Sequence, residues 1–436
     1  MNTHRTVAQL VTVTAMALVV WTGLADVVDA ATRTVCYRVK LADDRDECAR
    51  SSETGARRPC KPGGHVDTAG HYIQLWDKDS GSSSNDEFIA KVVISGTGRR
   101  CFTFEWENAP YSNGEANPDV YLRYINRVRN YRSSPAHRVR AVDAAGDEHV
   151  YTTWRNGTSS NPDLFVAKNC KRGRTCQIYS RGSLVPTNNR SSERGQWIMA
   201  LDSAQHTLQV FGTIMDTDIK MRFPVPGSNS FAIDRDRIDI HPAHGANGFI
   251  VSHEVGHLVQ MQEFNRDSLT DDCSLNGSGH SAYSLEYESC ATTEGWADFA
   301  GAVSWYDPNR SGTRPSFPRL PNLETARPHY STCSDNAHTE IAVAKAFWDL
   351  DDWNNEAGVS PASGDDDMLR FSTTRIAKGW RRFPNGTGNR QDHESGPDGV
   401  NMRDYYANNL GRFGSSNANF FETLIRHNCL QAQTNN

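Results

Sequence analysis

The segment between residues 249 and 261 combines a long apolar run with the pattern His-Glu-x-x-His: Phe249-Ile250-Val251-Ser252-His253-Glu254-Val255-Gly256-His257-Leu258-Val259-Gln260-Met261. Its apolar spacing predicts a buried helix, on which residues four positions apart are offset by about 40° and rise by roughly 6 Å. His253 and His257 would then lie one above the other, close enough to bind one Zn²⁺, with Glu254 beside them as a base for a metal-activated water. The alternative is a helix with two hydrogen-bonded core histidines and no metal.

A second amphipathic helical pattern follows downstream, at Thr293-Glu294-Gly295-Trp296-Ala297-Asp298-Phe299-Ala300. Glu294 and Asp298 are again four residues apart. A carboxylate that binds a metal, followed one turn later by a carboxylate that orients a ligand histidine, is a frequent arrangement around zinc. The two segments together therefore predict a metal site built from two helices.

His-Glu-x-x-His followed by Glu-x-x-x-Asp resembles the gluzincin metallopeptidases, which share the thermolysin-like catalytic architecture. The resemblance implies that His253, His257 and Glu294 are the zinc ligands. It also makes Glu254 the general base and Asp298 the partner of a ligand histidine. The matching motifs span about residues 250–300, with a longer connection between the helices than in thermolysin.

The metzincins provide an alternative third ligand. They have a glycine three residues after the second histidine and a ligand three residues further on, where this chain has Gln260 and Glu263. Without the glycine the helix has little reason to turn, so Glu263 would lie about a turn and a half beyond His257. Glu294 is therefore the expected ligand, and Glu263 is the alternative.

The N-terminus has the pattern of a secretory signal. Met1–Arg5 is basic, Val7–Ala25 is apolar without a charged residue, and Val28-Asp29-Ala30 is a plausible cleavage site. We expect residues 1–30 to be a signal peptide and the mature protein to be secreted, without stable membrane association. A retained membrane anchor is the alternative.

The ten cysteines all lie beyond residue 30, and their even number favours a disulfide framework, as export would allow. Spacing suggests the local pairs Cys170–Cys176, Cys273–Cys290 and Cys333–Cys429. No Cys-x-x-Cys pair is present, which argues against a cysteine zinc site. The formal net charge is −6 and there is no basic block, so no nucleic-acid partner is expected.

Residues 31–155 contain short runs rich in β-branched and aromatic residues, separated by turn residues, which predicts a β-sandwich. Asp77, Asp79 and Asp86 in this part, and Asp365–Asp367 further on, are best interpreted as solvated acidic turns. A Ca²⁺ site is the alternative at both places. The polar composition of residues 156–195 predicts a linker with a small disulfide loop.

Residues 196–436 are the predicted catalytic domain. Residues 233–240 alternate apolar and charged side chains, which suits an edge strand, and in gluzincins a strand there pairs with extended peptide substrate. Gluzincins also place a His or a Tyr from a later segment over the metal, where it stabilises the oxyanion. His338 and Tyr330 are the candidates.

The sequence thus predicts a multi-domain protein, with an N-terminal all-β sandwich followed by a mostly α (α+β), zincin-like catalytic domain. The resemblance implies a secreted zinc-dependent endopeptidase, a hydrolase with protein or peptide substrates. Two other classes stay open: a surface-binding or adhesion protein with a vestigial or structural metal site, and a zinc aminopeptidase or amidase. Glu254 argues against a purely structural site, which has no use for that carboxylate.

Overall fold

The structure is a computed structural model. It describes residues 31–430 with gaps, of which the longest are 78–86, 107–117, 130–137, 157–162, 179–192, 274–279, 353–368 and 384–399. The predicted signal peptide, residues 1–30, lies outside the described residues, as do Asp79, Asp86 and Asp365–Asp367 from the two acidic segments.

Strands dominate the N-terminal part of the described chain. They are Ala31–Tyr37 (β1), Leu41–Asp43 (β2), Gly64–Val66 (β3), His71–Asp77 (β4), Glu87–Val93 (β5), Arg100–Trp106 (β6), Val120–Arg129 (β7), Arg138–Val142 (β8), Val150–Tyr151 (β9), Arg155–Asn156 (β10), Asp163–Leu164 (β11), Thr175–Ile178 (β12), Ile219–Arg222 (β13), Phe231–Asp234 (β14) and Arg237–Asp239 (β15).

Helices dominate the C-terminal part. They are Glu193–Phe211 (α1), Gly248–Phe264 (α2), Glu288–Trp305 (α3), Cys333–Asn336 (α4), Glu340–Asp351 (α5), Thr373–Ala377 (α6), Met402–Phe413 (α7) and Ala418–His427 (α8). Sheets in the first part and helices in the second agree with the predicted order of the two kinds of structure. Among the described residues, no helix has the length and apolarity needed to cross a membrane.

Two sheets form the predicted sandwich. The smaller has the order β12-β1-β6, and the larger includes the run β7-β4-β5. Val35 of β1, Ile73 and Leu75 of β4, Phe104 of β6 and Leu122 of β7 share one buried apolar core. The strand β12 lies inside the predicted linker and pairs in parallel with β1, so part of that segment belongs to the sandwich.

The larger sheet extends beyond the predicted sandwich, in the order β14-β15-β13-β8-β7-β4-β5. β8 pairs in parallel with β13, with Val139 opposite Ile219 and Val142 opposite Arg222. Strands from both sides of the predicted boundary therefore share one sheet, and the division at residues 155 and 195 does not coincide with a break between sheets. The pairing joins positions some 80 residues apart, which local sequence patterns do not encode.

The edge of this sheet differs from the prediction of one strand over residues 233–240. The chain forms a hairpin instead, in which β14 runs antiparallel to β15 and a turn separates Asp234 from Arg237. β15 also pairs in parallel with β13, so β14 is the edge strand.

Helices α1, α2 and α3 lie close together because small and polar residues occupy their contacts. The hydroxyl of Ser252 in α2 accepts hydrogen bonds from Thr207 of α1, at 2.7 Å, and from the Trp305 indole of α3, at 3.1 Å. A Cβ on Gly256 would lie 2.6 Å from the Cβ of Ala300, so only glycine allows α2 and α3 to approach this closely.

The N-terminal part is bound directly to the start of α2. The backbone N–H of Gly248 donates to the Asp46 carbonyl at 3.0 Å, and the N–H of Phe249 donates to the Glu47 carbonyl at 2.8 Å. Both donors lie in the first turn of the helix, where backbone N–H groups lack partners within the helix. The segment after β2 therefore holds α2 in position.

A buried ion-pair network joins the same segment to α1. The Arg45 guanidinium donates to both oxygens of Asp43, at 2.9 and 3.0 Å, and to Asp202 at 2.6 Å. All three side chains are almost fully buried. Removing the cation would take away the guanidinium that both buried carboxylates contact.

We predict that Arg45→Met lowers the free energy of unfolding by about 3–5 kcal/mol, since breaking a buried ion pair leaves an unpaired charge in the interior. Chemical denaturation measures the change. Arg426→Met is the matched control, because Arg426 forms an exposed pair with Glu422 and its loss should cost about 0–1 kcal/mol. Equal unfolding midpoints for Arg45→Met and the parent would contradict the structural role of the network.

Candidate metal centre

Helix α2 carries the first three candidate residues. The Asn247 side chain caps its N-terminus by accepting a hydrogen bond from the N–H of Ile250 at 2.9 Å, and Asn265, with a φ of 59°, ends it. The helix continues past Gln260 without the turn that a metzincin glycine would produce. His253, Glu254 and His257 therefore lie on one regular helix.

The candidate ligand atoms converge between α2 and α3. The Nε2 atoms of His253 and His257 are 3.2 Å apart, and each lies 3.2 Å from Oε2 of Glu294. Side chains from two helices thus place two nitrogens and one oxygen at the corners of a nearly equilateral triangle.

This triangle fits a zinc ion. Tetrahedral zinc with ligands at about 2.0–2.1 Å requires ligand atoms roughly 3.3 Å apart, close to the observed separations. Two imidazoles and one carboxylate are also the donor set of many zinc hydrolases, which leave a fourth position open. The three side chains are mostly buried, so the ion would be largely shielded from bulk solvent.

Asp298 lies behind the first histidine. Its Oδ1 is 2.9 Å from Nδ1 of His253. A carboxylate at this distance accepts a hydrogen bond from Nδ1–H, which keeps the proton on Nδ1 and leaves the Nε2 lone pair facing the triangle. Asp298 therefore has the contact that the resemblance implies for it.

Protonation at the centre follows from its buried charges. Burial alone would lower the pKa of His253, but its hydrogen bonds to Asp298 and Glu294 outweigh burial and raise that pKa well above the ordinary value. Burial alone would raise the pKa of Glu294, but the charges of His257 and His253 and their hydrogen bonds bring that pKa well below its usual range. His253 thus holds its proton more tightly than a free imidazole does, so an ion that binds its Nε2 must compete with that proton.

Glu254 lies on the same helix, next to the edge of the sheet. Its side chain is buried, and burial raises the pKa of its carboxyl group. The positive charges of His253 and His257, and the backbone N–H of Ala232 in β14, act in the opposite direction. A carboxylate in this setting can accept a proton from a nearby water molecule.

Glu263, the alternative third ligand, points to a different partner. Its Oε1 accepts a hydrogen bond from Arg381 at 2.8 Å. An arginine partner neutralises this carboxylate, whereas Glu294 contacts both histidines. The geometry thus places Glu294, and not Glu263, with the histidine pair.

His338 and Tyr330 are bound to the segment that precedes α3. The Nδ1 atom of His338 is 2.9 Å from the Glu286 carbonyl, and the Tyr330 hydroxyl donates to the Tyr283 carbonyl at 2.8 Å. Both side chains therefore fasten the backbone before α3. An oxyanion role for either one stays a prediction, and these hydrogen bonds do not favour it.

The structure brings a further histidine to the centre. Nδ1 of His280 lies 3.9 Å from Oε2 of Glu294 and 2.8 Å from Oε1 of Glu340. The sequence did not single out His280, because this residue lies in the polar segment between Cys273 and Cys290, here called the insertion, which has no helical or strand periodicity. The available signal was the pair of cysteines around the insertion, which keeps its residues near α3.

The disulfides agree with the local pairs suggested by spacing. Cys170–Cys176, Cys273–Cys290 and Cys333–Cys429 are present, together with Cys36–Cys101 and Cys48–Cys60. Cys290 lies in the first turn of α3, four residues before Glu294. The Cys273–Cys290 bridge therefore anchors the insertion to the helix that carries the third candidate ligand.

Residues 214–375 match the family described as the mycolysin C-terminal domain. The match points to a mycolysin- or thermolysin-like peptidase family and, through it, to a protein or peptide substrate and a metal cofactor. The matched range covers less than half of the chain and includes α2, α3 and α5. A comparison with curated proteins found no match.

We predict that His253→Ala, His257→Ala and Glu294→Ala each lose one zinc ion per chain relative to the parent, as measured by elemental analysis after gel filtration. Asp298→Asn should retain the ion but bind it about 10- to 100-fold more weakly, because the ligand histidine loses its orienting partner. Glu263→Ala is the control and should keep the parent content. Loss of zinc in Glu263→Ala with full retention in Glu294→Ala would reverse the ligand assignment.

We also predict a role for the disulfide at the start of α3. The double variant Cys273→Ser/Cys290→Ser should lose about 3 kcal/mol of stability, because the bridge closes a short loop. It should also retain less zinc, because the third ligand is then free to move away from the histidines. Cys170→Ser/Cys176→Ser, in the sandwich, is the matched control and should leave zinc content unchanged. Equal zinc retention in both double variants would contradict the prediction.

Proposed function

We propose that this chain is a secreted zinc-dependent endopeptidase, with residues 196–436 as its zincin-like catalytic part. The observation that carries the proposal is the triangle of His253, His257 and Glu294 ligand atoms, 3.2 Å on each edge. Glu254 lies beside it on the same helix. The family match to residues 214–375 supports the same class of protein.

Helices α2 and α3 would both supply ligands to the ion. His253 and His257 donate nitrogen ligands from α2, and Glu294 donates an oxygen ligand from α3. Asp298 keeps the His253 ring in the tautomer that ligation requires. Bound zinc supplies Lewis acidity, which makes water more acidic and polarises a carbonyl group.

Glu254 would carry the proton through the reaction. Water adds its oxygen to the carbonyl carbon of the scissile peptide, and the Glu254 carboxylate accepts the first proton that this water loses. Glu254 then donates that proton to the amide nitrogen as the carbon–nitrogen bond breaks. The remaining proton of the added hydroxyl group passes to the amine, so the products are a carboxylate and an ammonium group. Burial favours this exchange, because the raised pKa of Glu254 brings the group closer to neutral pH.

The edge strand β14 would bind the substrate. β14 pairs with β15 on one side only among the described strands, and Phe231 at its start is 52% exposed. Its backbone reaches the vicinity of Glu254 at Ala232. An extended peptide could therefore add to the sheet as a further strand beside the metal centre. A strand edge recognises the middle of a peptide as readily as its end, which favours an endopeptidase.

Secretion is part of the proposal. The five disulfides fit an extracellular protein. The predicted signal peptide at residues 1–30 would direct export, and the disulfides would form after it.

We predict that Glu254→Gln retains zinc but hydrolyses casein or a quenched peptide library at least about 100-fold more slowly, within the usual range for loss of a general base. Glutamine keeps the size of the side chain but cannot accept the proton. Glu105→Gln is the matched control, because Glu105 is an exposed side chain on β6, and it should keep the parent rate. Full activity in Glu254→Gln would contradict the proposed role.

A further inference from the structure

A second group of metal-binding side chains lies next to the first. His280, Glu286 and Glu340 each place one ligand atom within 4.8 Å of the other two. His280 and Glu286 come from the segment between Cys273 and Cys290, and Glu340 is the first residue of α5. None of them belongs to the triangle described above.

Glu286 is buried without full hydrogen bonding. Its side chain is 0% exposed. Oε1 accepts hydrogen bonds from the Ser284 hydroxyl at 2.8 Å and from the Ser281 N–H at 3.3 Å. Oε2 has no hydrogen-bond partner among the described residues. The neighbouring Glu340 carboxyl group can hydrogen-bond to Glu286 only when one of the two holds a proton, so two ionised carboxylates here would need a cation between them.

Glu340 is the second buried carboxylate of the group. It is 3% exposed and contacts Nδ1 of His280 at 2.8 Å. Glu294 and Asp298 lie close enough to repel its charge. In the described part of the chain, the ion-pair partners of Glu294, Asp298 and Glu340 are histidines, and no lysine or arginine pairs with them.

Burial and charge repulsion raise the pKa values of both Glu286 and Glu340. Burial, together with repulsion from Glu340, raises the pKa of Glu286 to about 10. Burial, together with repulsion from Asp298 and Glu294, raises the pKa of Glu340 well above its usual range. Two ionised carboxylates this close repel each other, and a divalent ion between them would offset that repulsion.

We propose that His280, Glu286 and Glu340 bind a second divalent transition-metal ion, of which zinc is the best match. One imidazole nitrogen and two carboxylate oxygens suit zinc, whereas Ca²⁺ prefers six to eight oxygen ligands. The His280 side chain is 45% exposed, so the ion has a path from solvent.

This second ion would fasten the insertion to the helices around it. The insertion and α5 are already joined by the Ile341 N–H, which donates to the Ala282 carbonyl at 3.1 Å. An ion bound to His280 and Glu286 on one side and to Glu340 on the other would connect the same two parts through their side chains. Since Nδ1 of His280 is 3.9 Å from Oε2 of Glu294, the two metal sites would be neighbours.

Zinc stoichiometry tests the proposal. The purified protein is stripped with a chelator, incubated with excess Zn²⁺, passed through gel filtration and analysed for zinc per chain. We expect about two ions in the parent and about one in each of His280→Ala, Glu286→Gln and Glu340→Gln. Glu422→Gln on α8 is the matched control and should keep both ions. Far-UV circular dichroism checks folding of the two buried variants, and His280→Ala changes a half-exposed side chain.

The outcomes separate this site from the proposed catalytic one. A single zinc in the parent that is lost in His253→Ala and kept in His280→Ala would overturn the second site and leave the proposed function standing. A single zinc that is lost in His280→Ala and kept in His253→Ala would support the second site and overturn the proposed function.

Thermal unfolding gives an independent measurement. Zn²⁺ should raise the Tm of His253→Ala, which retains the second site, because an ion that binds only the folded state stabilises it. The double variant His253→Ala/His280→Ala should show no such rise. An equal rise in both variants would overturn the proposal.

Discussion

The position of the third candidate ligand depends on how closely α2 and α3 pack. A Cβ on Gly256 would lie 2.6 Å from the Cβ of Ala300, so a larger residue at position 256 would push the helices apart. The Trp296 indole also donates to the Gly256 carbonyl at 2.9 Å and fixes the two helices relative to each other. With the helices at this distance, Glu294 reaches both histidines and Asp298 reaches His253. Gly256 occupies one of the two variable positions of the His-Glu-x-x-His motif, and its role here is to let α2 and α3 pack closely.

The N-terminal part of the chain supports this packing. It contributes β8 to the sheet that continues into β13, and the segment after β2 binds the first N–H groups of α2. Arg45 joins that segment to α1 through a buried network, and Ser252 joins α1, α2 and α3. A chain that began near residue 196 would lose these contacts. The strand-rich part therefore also supports the helices that carry the candidate metal ligands.

Local patterns in the sequence predicted the parts of the molecule that depend on local spacing. The separation of four residues between His253 and His257, and between Glu294 and Asp298, corresponds to one helical turn, so the helices and their facing side chains could be expected. Contacts between distant segments could not be predicted from such spacing. The pairing of β8 with β13, the inclusion of β12 in the smaller sheet and the approach of His280 to Glu294 all join residues that no periodicity relates. The edge hairpin was missed for a smaller reason, because the turn between β14 and β15 is built from charged residues that also suit one continuous edge strand.

Anomalous X-ray scattering at the zinc edge, on crystals grown with Zn²⁺, tests the central assignment most directly. The account predicts an anomalous peak about 2.0–2.1 Å from Nε2 of His253, Nε2 of His257 and an oxygen of Glu294. A well-ordered α2–α3 pair with no anomalous density at that position, or with the peak bound to Glu263 in place of Glu294, would contradict it.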